Sequence, residues 1–178
     1  MRRTRPILRI AALVVVVAIA GSACSGSSSQ KTKAPTTGAT THSNTSNTEA
    51  TLTAAVRAAI QEDHRMSVRV LWTNAVPAHP RATAGPALTV LRRSVAARAR
   101  RGIRVRLLSE HFRVISIQVD PSYERATAVV SDPQRVRPYG RDGRPLGRAV
   151  ALNERARLEL RRLGSGMRFV VWKVTPIK

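Results

Sequence analysis

The sequence predicts an α+β domain, two helices followed by an antiparallel sheet, from three observations. Between Leu52 and Arg101, apolar residues recur at three- and four-residue steps over two stretches. After Gly102 the period drops to two and stays there, in segments separated by turn residues, almost to the end of the chain. The helical stretches also precede the strands instead of alternating with them, which puts both helices on one face of an antiparallel sheet.

The first helix is carried by Leu52, Ala55, Val56, Ala59, Ile60, Asp63, Met66 and Val70, which form a single stripe. Ser46-Asn47-Thr48-Glu49 has the spacing of a capping box just upstream, and Asn74, Pro77 and Pro80 stop the helix. Pro86 suits the first turn of a second helix. Leu88, Leu91 and Val95 make its inner face, Arg92, Arg93 and Arg100 its outer face, and Gly102 its C-cap. Residues 103–107 then alternate cleanly, as do 113–119 with Ile115, Ile117 and Val119 on one face. Residues 120–124 are turn chemistry, after which 125–131 reads as a strand rich in small and β-branched side chains. Residues 138–145 form a second turn-rich stretch, with Asp142-Gly143 as its hairpin signal. Residues 148–163 set Ala156, Leu158 and Leu160 against Arg155, Arg157, Glu159 and Arg161, and Gly164-Ser165-Gly166 turns the chain into a last strand over 167–175.

Residues 1–50 are of another kind. Arg2, Arg3, Arg5 and Arg9 precede an apolar run over 10–20, and Gly21-Ser22-Ala23 follows as a small-residue cleavage site, the layout of an export signal over 1–23. The run is eleven residues long, well short of the roughly 20 a spanning helix needs. Cys24, the only cysteine, comes next. The run Ala20-Gly21-Ser22-Ala23-Cys24 resembles the lipobox of bacterial lipoproteins, departing from it at Gly21, where Leu is usual. That resemblance implies that the Cys24 thiol receives a diacylglycerol and that Cys24 becomes the first residue of the mature protein. The alternative is an ordinary signal peptide cut after Ala23. Two acyl chains give stable membrane attachment where one is marginal. Residues 24–50, dominated by Ser, Thr, Gly and Asn, read as a disordered tether that cannot bury enough apolar surface to offset its ordering entropy. Residues 51–178 are then one domain, with no disulfide available to it.

Removing the four arginines ahead of Cys24 takes the formal charge from +21 to +17. For an exported chain the available counter-ions are anionic lipid headgroups and acidic wall polymers. Arg92, Arg93, Arg100 and Arg101, crowded on the outer face and end of the second helix, are the candidate anionic-surface residues. Nucleic acid is not the expected partner, since the few aromatic residues do not interleave with these arginines as base stacking requires. Only four of the 31 basic residues are lysine, a bias that a GC-rich genome also produces.

The element order, the long penultimate strand and the ending Arg168-Phe169-Val170-Val171-Trp172-Lys173-Val174 resemble the NTF2-like superfamily of SnoaL-like or cystatin-like cones, over residues 51–178. The chain is especially similar to tethered NTF2-like lipoproteins of actinobacteria. The resemblance implies a curved antiparallel sheet wrapping the first helix around a conical cavity, an active site in some members and a docking surface in many. It also implies a short extra element between helices and sheet, for which 71–83 is the counterpart here. Asp63, on the apolar stripe, is the catalytic candidate: in an apolar pocket its carboxyl would be pushed up toward the range of a general base. The competing readings are a buried Asp paired with an arginine and a stripe that simply ends at Ile60. His64 points about 100° away from it on a helix, Glu110 and His111 read as a solvated turn, and Trp72 and Trp172 as core residues or the mouth of a pocket. No spacing suggests a metal site or a cofactor. The expected function is a non-catalytic binding or scaffolding lipoprotein, exported and held on the outer face of the cytoplasmic membrane, with anionic lipids, wall polymers or an envelope protein as partners. The alternative is a cavity enzyme or carrier of a small apolar ligand with Asp63 as base.

Overall fold

The computed structural model describes residues 42–177, with side chains from Thr48 onward; Cys24, the signal segment and residues 25–41 lie outside the described residues. Two helices, α1 (His42–Thr73) and α2 (Gly85–Arg101), precede five strands: β1 (Arg104–Glu110), β2 (Arg113–Val119), β3 (Arg125–Tyr139), β4 (Val150–Arg162) and β5 (Phe169–Pro176). The fold is α+β, two helices packed on an open antiparallel sheet. Among the described residues no helix is long and apolar enough to cross a membrane.

α1 starts at His42, inside the stretch read as a tether, so the Ser46–Glu49 box lies within the helix and does not cap it. Once a helix is nucleated each further residue adds one bond for one residue fixed, and neither Pro nor Gly interrupts residues 41–74. The stripe is buried as its spacing predicts. Leu52, Val56, Ile60 and Val70 are almost fully covered, each contributing about 1.5–3 kcal/mol relative to exposure. Leu52, Val56 and Ile60 face Ala126, Ala128, Val130, Leu158 and Leu160 of the sheet, with Phe169 and Val171 of β5. Met66 and Val70 also meet Leu91 and Val95 of α2.

Both helix ends anticipated from sequence are present. Asn74 is left-handed at φ 51° and its side-chain amide donates to the Ile103 carbonyl at 2.6 Å. Gly102 closes α2 at φ 66°, its N–H donating to Ala99 O and that of Ile103 to Arg98 O. Between the helices, residues 82–84 lie alongside β5 as a parallel edge: Val171 N–H donates to Ala82 O at 2.7 Å and Ala84 N–H to Val171 O at 3.0 Å.

β3 is longer than the strand expected over 125–131, and the reason is Pro133. β4 pairs with one edge of β3 from Arg125 to Val136, while the other edge is shared, β2 taking Ala126–Ser131 and β1 taking Gln134–Tyr139. Pro133 O accepts from His111 N–H, on that shared edge and at the handover between the two short strands. Its missing N–H therefore falls where no ladder bond was due, which is how a proline is tolerated in a central strand. β2 differs as well. A bulge between Val114 and Ser116 breaks the alternation, so Val114, Ile117 and Val119 pack on the core while Ile115 is 52% exposed.

Trp172 belongs neither to the core nor to a pocket mouth. Its ring lies between the Arg161 guanidinium, 4.1 Å from its centroid, and the backbone of Gly85. Gly85 is at φ 55°, and a Cβ there would meet the indole at 2.7 Å. Gly164 is also left-handed, φ 67°, but open on all sides. Gly85→Ala is therefore expected to lower unfolding free energy by about 2–4 kcal/mol, backbone strain plus overpacking, and Gly164→Ala by only about 1 kcal/mol, as measured by denaturant titration.

Candidate functional site

Asp63 faces inward from α1, where the Thr83 hydroxyl donates to its carboxylate. Thr83 is buried and bridges to Val171 of β5, so the bond ties the first helix to the sheet through the inter-helix segment. Burial pushes the Asp63 carboxyl up to about 6, against the opposing pull of the Thr83 bond and the nearby His64. No salt bridge to arginine is formed by Asp63 among the described residues, so the expected pairing with an arginine is replaced by a hydroxyl.

One residue along, His64 turns to a different part of the sheet. Its ring stacks on Phe112 at 3.9 Å between centroids, its Nε2 lies 3.0 Å from Glu110 Oε2, and its Nδ1 lies 3.9 Å from Asp132 Oδ2. Glu110 is the last residue of β1, its exposed side chain reaching toward α1, while His111 lies in the exposed link between β1 and β2. Asp132 faces Glu154 directly across β3 and β4. Burial raises both carboxyls; His64 opposes the rise at Asp132, and Asp132 adds to the rise at Glu154. Asp132 Oδ1 is buried without a hydrogen-bond partner. Sequence periodicity missed this group because its members are brought together from β1, β3 and β4 by pairing register and from α1 by its packing on the sheet. Among the described residues no set of three or more His, Cys, Asp or Glu has the geometry to hold a metal ion.

Two surface depressions lie elsewhere. One runs over the exposed side of α1, lined by Glu49, Arg57 and Gln61, and the other lies over Gln118, Arg125 and Arg161 at one end of the sheet.

Arg92, Arg93, Arg100 and Arg101 are all exposed on α2. Arg92 Nη2 donates to Ala78 O at 2.9 Å, holding the segment before α2, and Arg141 Nη2 reaches Arg100 O at 3.4 Å. Arg98 turns the other way, toward Asn74 Oδ1 and Val70 O at the end of α1, and burial lowers its affinity for its proton. A cation there meets the negative end of the α1 dipole. Residues 140–143 form a hairpin loop, Gly143 N–H donating to Gly140 O at 3.1 Å.

No protein-family model and no curated protein is matched by this chain. Among solved structures it is similar to the intermembrane space region of the chloroplast protein ARC6, at 14% identity with a TM-score of 0.53, over 67% of this chain and 92% of that one. The likeness is one of fold.

Because the folded pKa of Asp63 is above its unfolded value of 3.8, the fold holds the Asp63 proton more tightly than the unfolded chain does. Its contribution to stability is full below pH 4 and is lost as pH rises through about 6. Asp63→Asn keeps an acceptor for the Thr83 hydroxyl and removes the charge. The variant should unfold at higher denaturant than the wild type at pH 7.5, by about 2–3 kcal/mol, and at the same concentration near pH 4. A variant less stable than the wild type at pH 7.5 would contradict this account of the carboxyl.

Proposed function

We propose that this chain is an exported lipoprotein, held by acylated Cys24 on the outer face of the cytoplasmic membrane, whose NTF2-like domain acts as a non-catalytic binding or scaffolding module. The observation that carries the non-catalytic reading is the engagement of Asp63. Its carboxylate accepts from Thr83, and Thr83 is locked to β5, which gives the acid a structural part as a tie between α1 and the sheet. Support for the cone comes from the order of two helices then antiparallel strands, from α1 lying on the inner sheet face, and from the added edge at 82–84 where the resemblance called for an extra element.

One observation favours the alternative, a cavity enzyme or carrier of a small apolar ligand with Asp63 as base: a carboxyl at about 6 is matched to proton abstraction near neutrality. The two readings separate on Asp63→Asn, which abolishes turnover in an enzyme and leaves a binding module intact.

The anchor is tested by Cys24→Ser. Wild-type protein should sediment with membranes and carry a mature mass increased by a diacylglycerol. The variant should appear in the medium or remain as uncleaved precursor. Wild-type mature protein starting at an unmodified Cys24 would overturn the proposal.

A further inference from the structure

The face of the sheet turned away from the helices carries an array of cations separate from that of α2. Register places Arg125 of β3 directly opposite Arg161 of β4, both exposed, and the exposed Arg106 of β1 directly opposite Arg137 of β3, which is half-buried with its Nε covered. Arg155 and Arg157 follow on the same face of β4, facing Ser131 and Val129, with Arg113 of β2 on the far side of Ser131. The carboxylate on a strand of this face is Glu159, and Lys173 holds it at 3.1 Å. Asp132, Glu154 and Glu110 all lie on the opposite face, toward α1.

Genomic composition accounts for many arginines but not for this sorting. Random placement would mix the strand carboxylates among the arginines, where each would gain an ion partner. Here they occupy the inner face, and burial raises Asp132 and Glu154. Like charges directly opposite each other in a sheet are also mutually destabilising. An array of this kind gains from an external counter-charge.

The occupant is indicated by shape and by the neighbouring side chains. The array spreads over four neighbouring strands, a broad surface and not a groove that would track one polymer strand. At its β1 and β2 edge two bulges turn aliphatic side chains outward, leaving Leu108 42% and Ile115 52% exposed. Cations beside exposed aliphatics suit the boundary between lipid headgroups and acyl chains. Base stacking would need free aromatic faces, and Trp172, the ring beside Arg161, is already enclosed by Arg161 and Gly85.

We infer that the outer face of the sheet, and not α2, is a docking surface for an anionic lipid bilayer. The inference rests on the proposed anchoring only for which bilayer is met, and the binding itself can be tested without the acyl group.

The test uses the mature chain, residues 24–178, carrying Cys24→Ser, with vesicles of phosphatidylglycerol and phosphatidylcholine or of phosphatidylcholine alone. Cosedimentation should occur with the anionic vesicles and be lost at high salt. Changing Arg113, Arg125, Arg155 and Arg157 together to Gln should weaken binding about tenfold or more, and the same four changed to Lys should preserve it. Changing Arg92, Arg93, Arg100 and Arg101 to Gln removes the same charge and should cost about twofold or less. Arginine footprinting of the unsubstituted chain with a dicarbonyl reagent checks the surface independently of whether the variants fold: vesicles should protect Arg125, Arg155 and Arg157 and leave Arg92 and Arg93 reactive. Equal or greater loss in the α2 variant, protection of α2 alone, or absence of binding to anionic vesicles would each overturn the inference, as would binding to an anionic wall polymer or to DNA with none to vesicles. Release of the wild-type protein from cell membranes despite vesicle binding would count against the Cys24 anchor and leave this surface standing.

Discussion

The alternation of β3 is the constraint on which the rest depends. Its even-numbered residues from Ala126 to Pro138 face inward and its odd-numbered residues face outward, so one strand decides what touches α1 and what touches solvent. With β4 bonded along one edge and β2 and β1 sharing the other, it cannot slip by a residue without reversing both faces. Slippage would drive Arg125 and Arg135 into the stripe of Leu52, Val56 and Ile60, at a desolvation cost no ladder bond offsets. The core, the buried acids and the exposed cations are consequences of that one register.

Inside the sheet the polar groups act as ties between elements. Thr83 and Asp63 join α1 to the segment beside β5, Arg98 joins the end of α1 to α2, and His64 bridges α1 to the end of β1 while leaning on Phe112. These ties differ in their response to pH. The Asp63 carboxyl is held above its ordinary range by burial, so deprotonation weakens the fold locally. Asp132 and Glu154 add to the same trend, because burial raises both and they face one another. A domain with this interior loses stability as pH rises through about 6.

Much of the fold could be read in the sequence because its signals are local. The period change after Gly102, the left-handed Asn74, Pro86 at the start of α2 and the alternation of 155–161 each depend on a few adjacent residues. The misreadings came from non-local causes. The strand expected over 125–131 stopped short because its continuation through Pro133 depends on where β2 stops and β1 begins, and the bulge at Ile115 depends on pairing with β3. Asp63 stood out because it interrupts an apolar stripe. Glu110, Asp132 and Glu154 did not, since each is an ordinary polar residue until register brings it to its neighbours. The arginine array escaped for the same reason: Arg125 and Arg161 are 36 residues apart in sequence and directly opposite in the sheet.

Orientation at a bilayer distinguishes docking by the sheet from docking by the helices. A single fluorophore is placed at Thr127→Cys, on the outer sheet face between Gln118 of β2 and Glu159 of β4, or at Gln61→Cys, on the exposed side of α1, in the chain carrying Cys24→Ser. Energy transfer to acceptor-labelled headgroups in anionic vesicles then reports which layer faces the lipid. The account predicts strong transfer from position 127 and weak transfer from position 61. Stronger transfer from position 61 would place the helical layer against the membrane and contradict it.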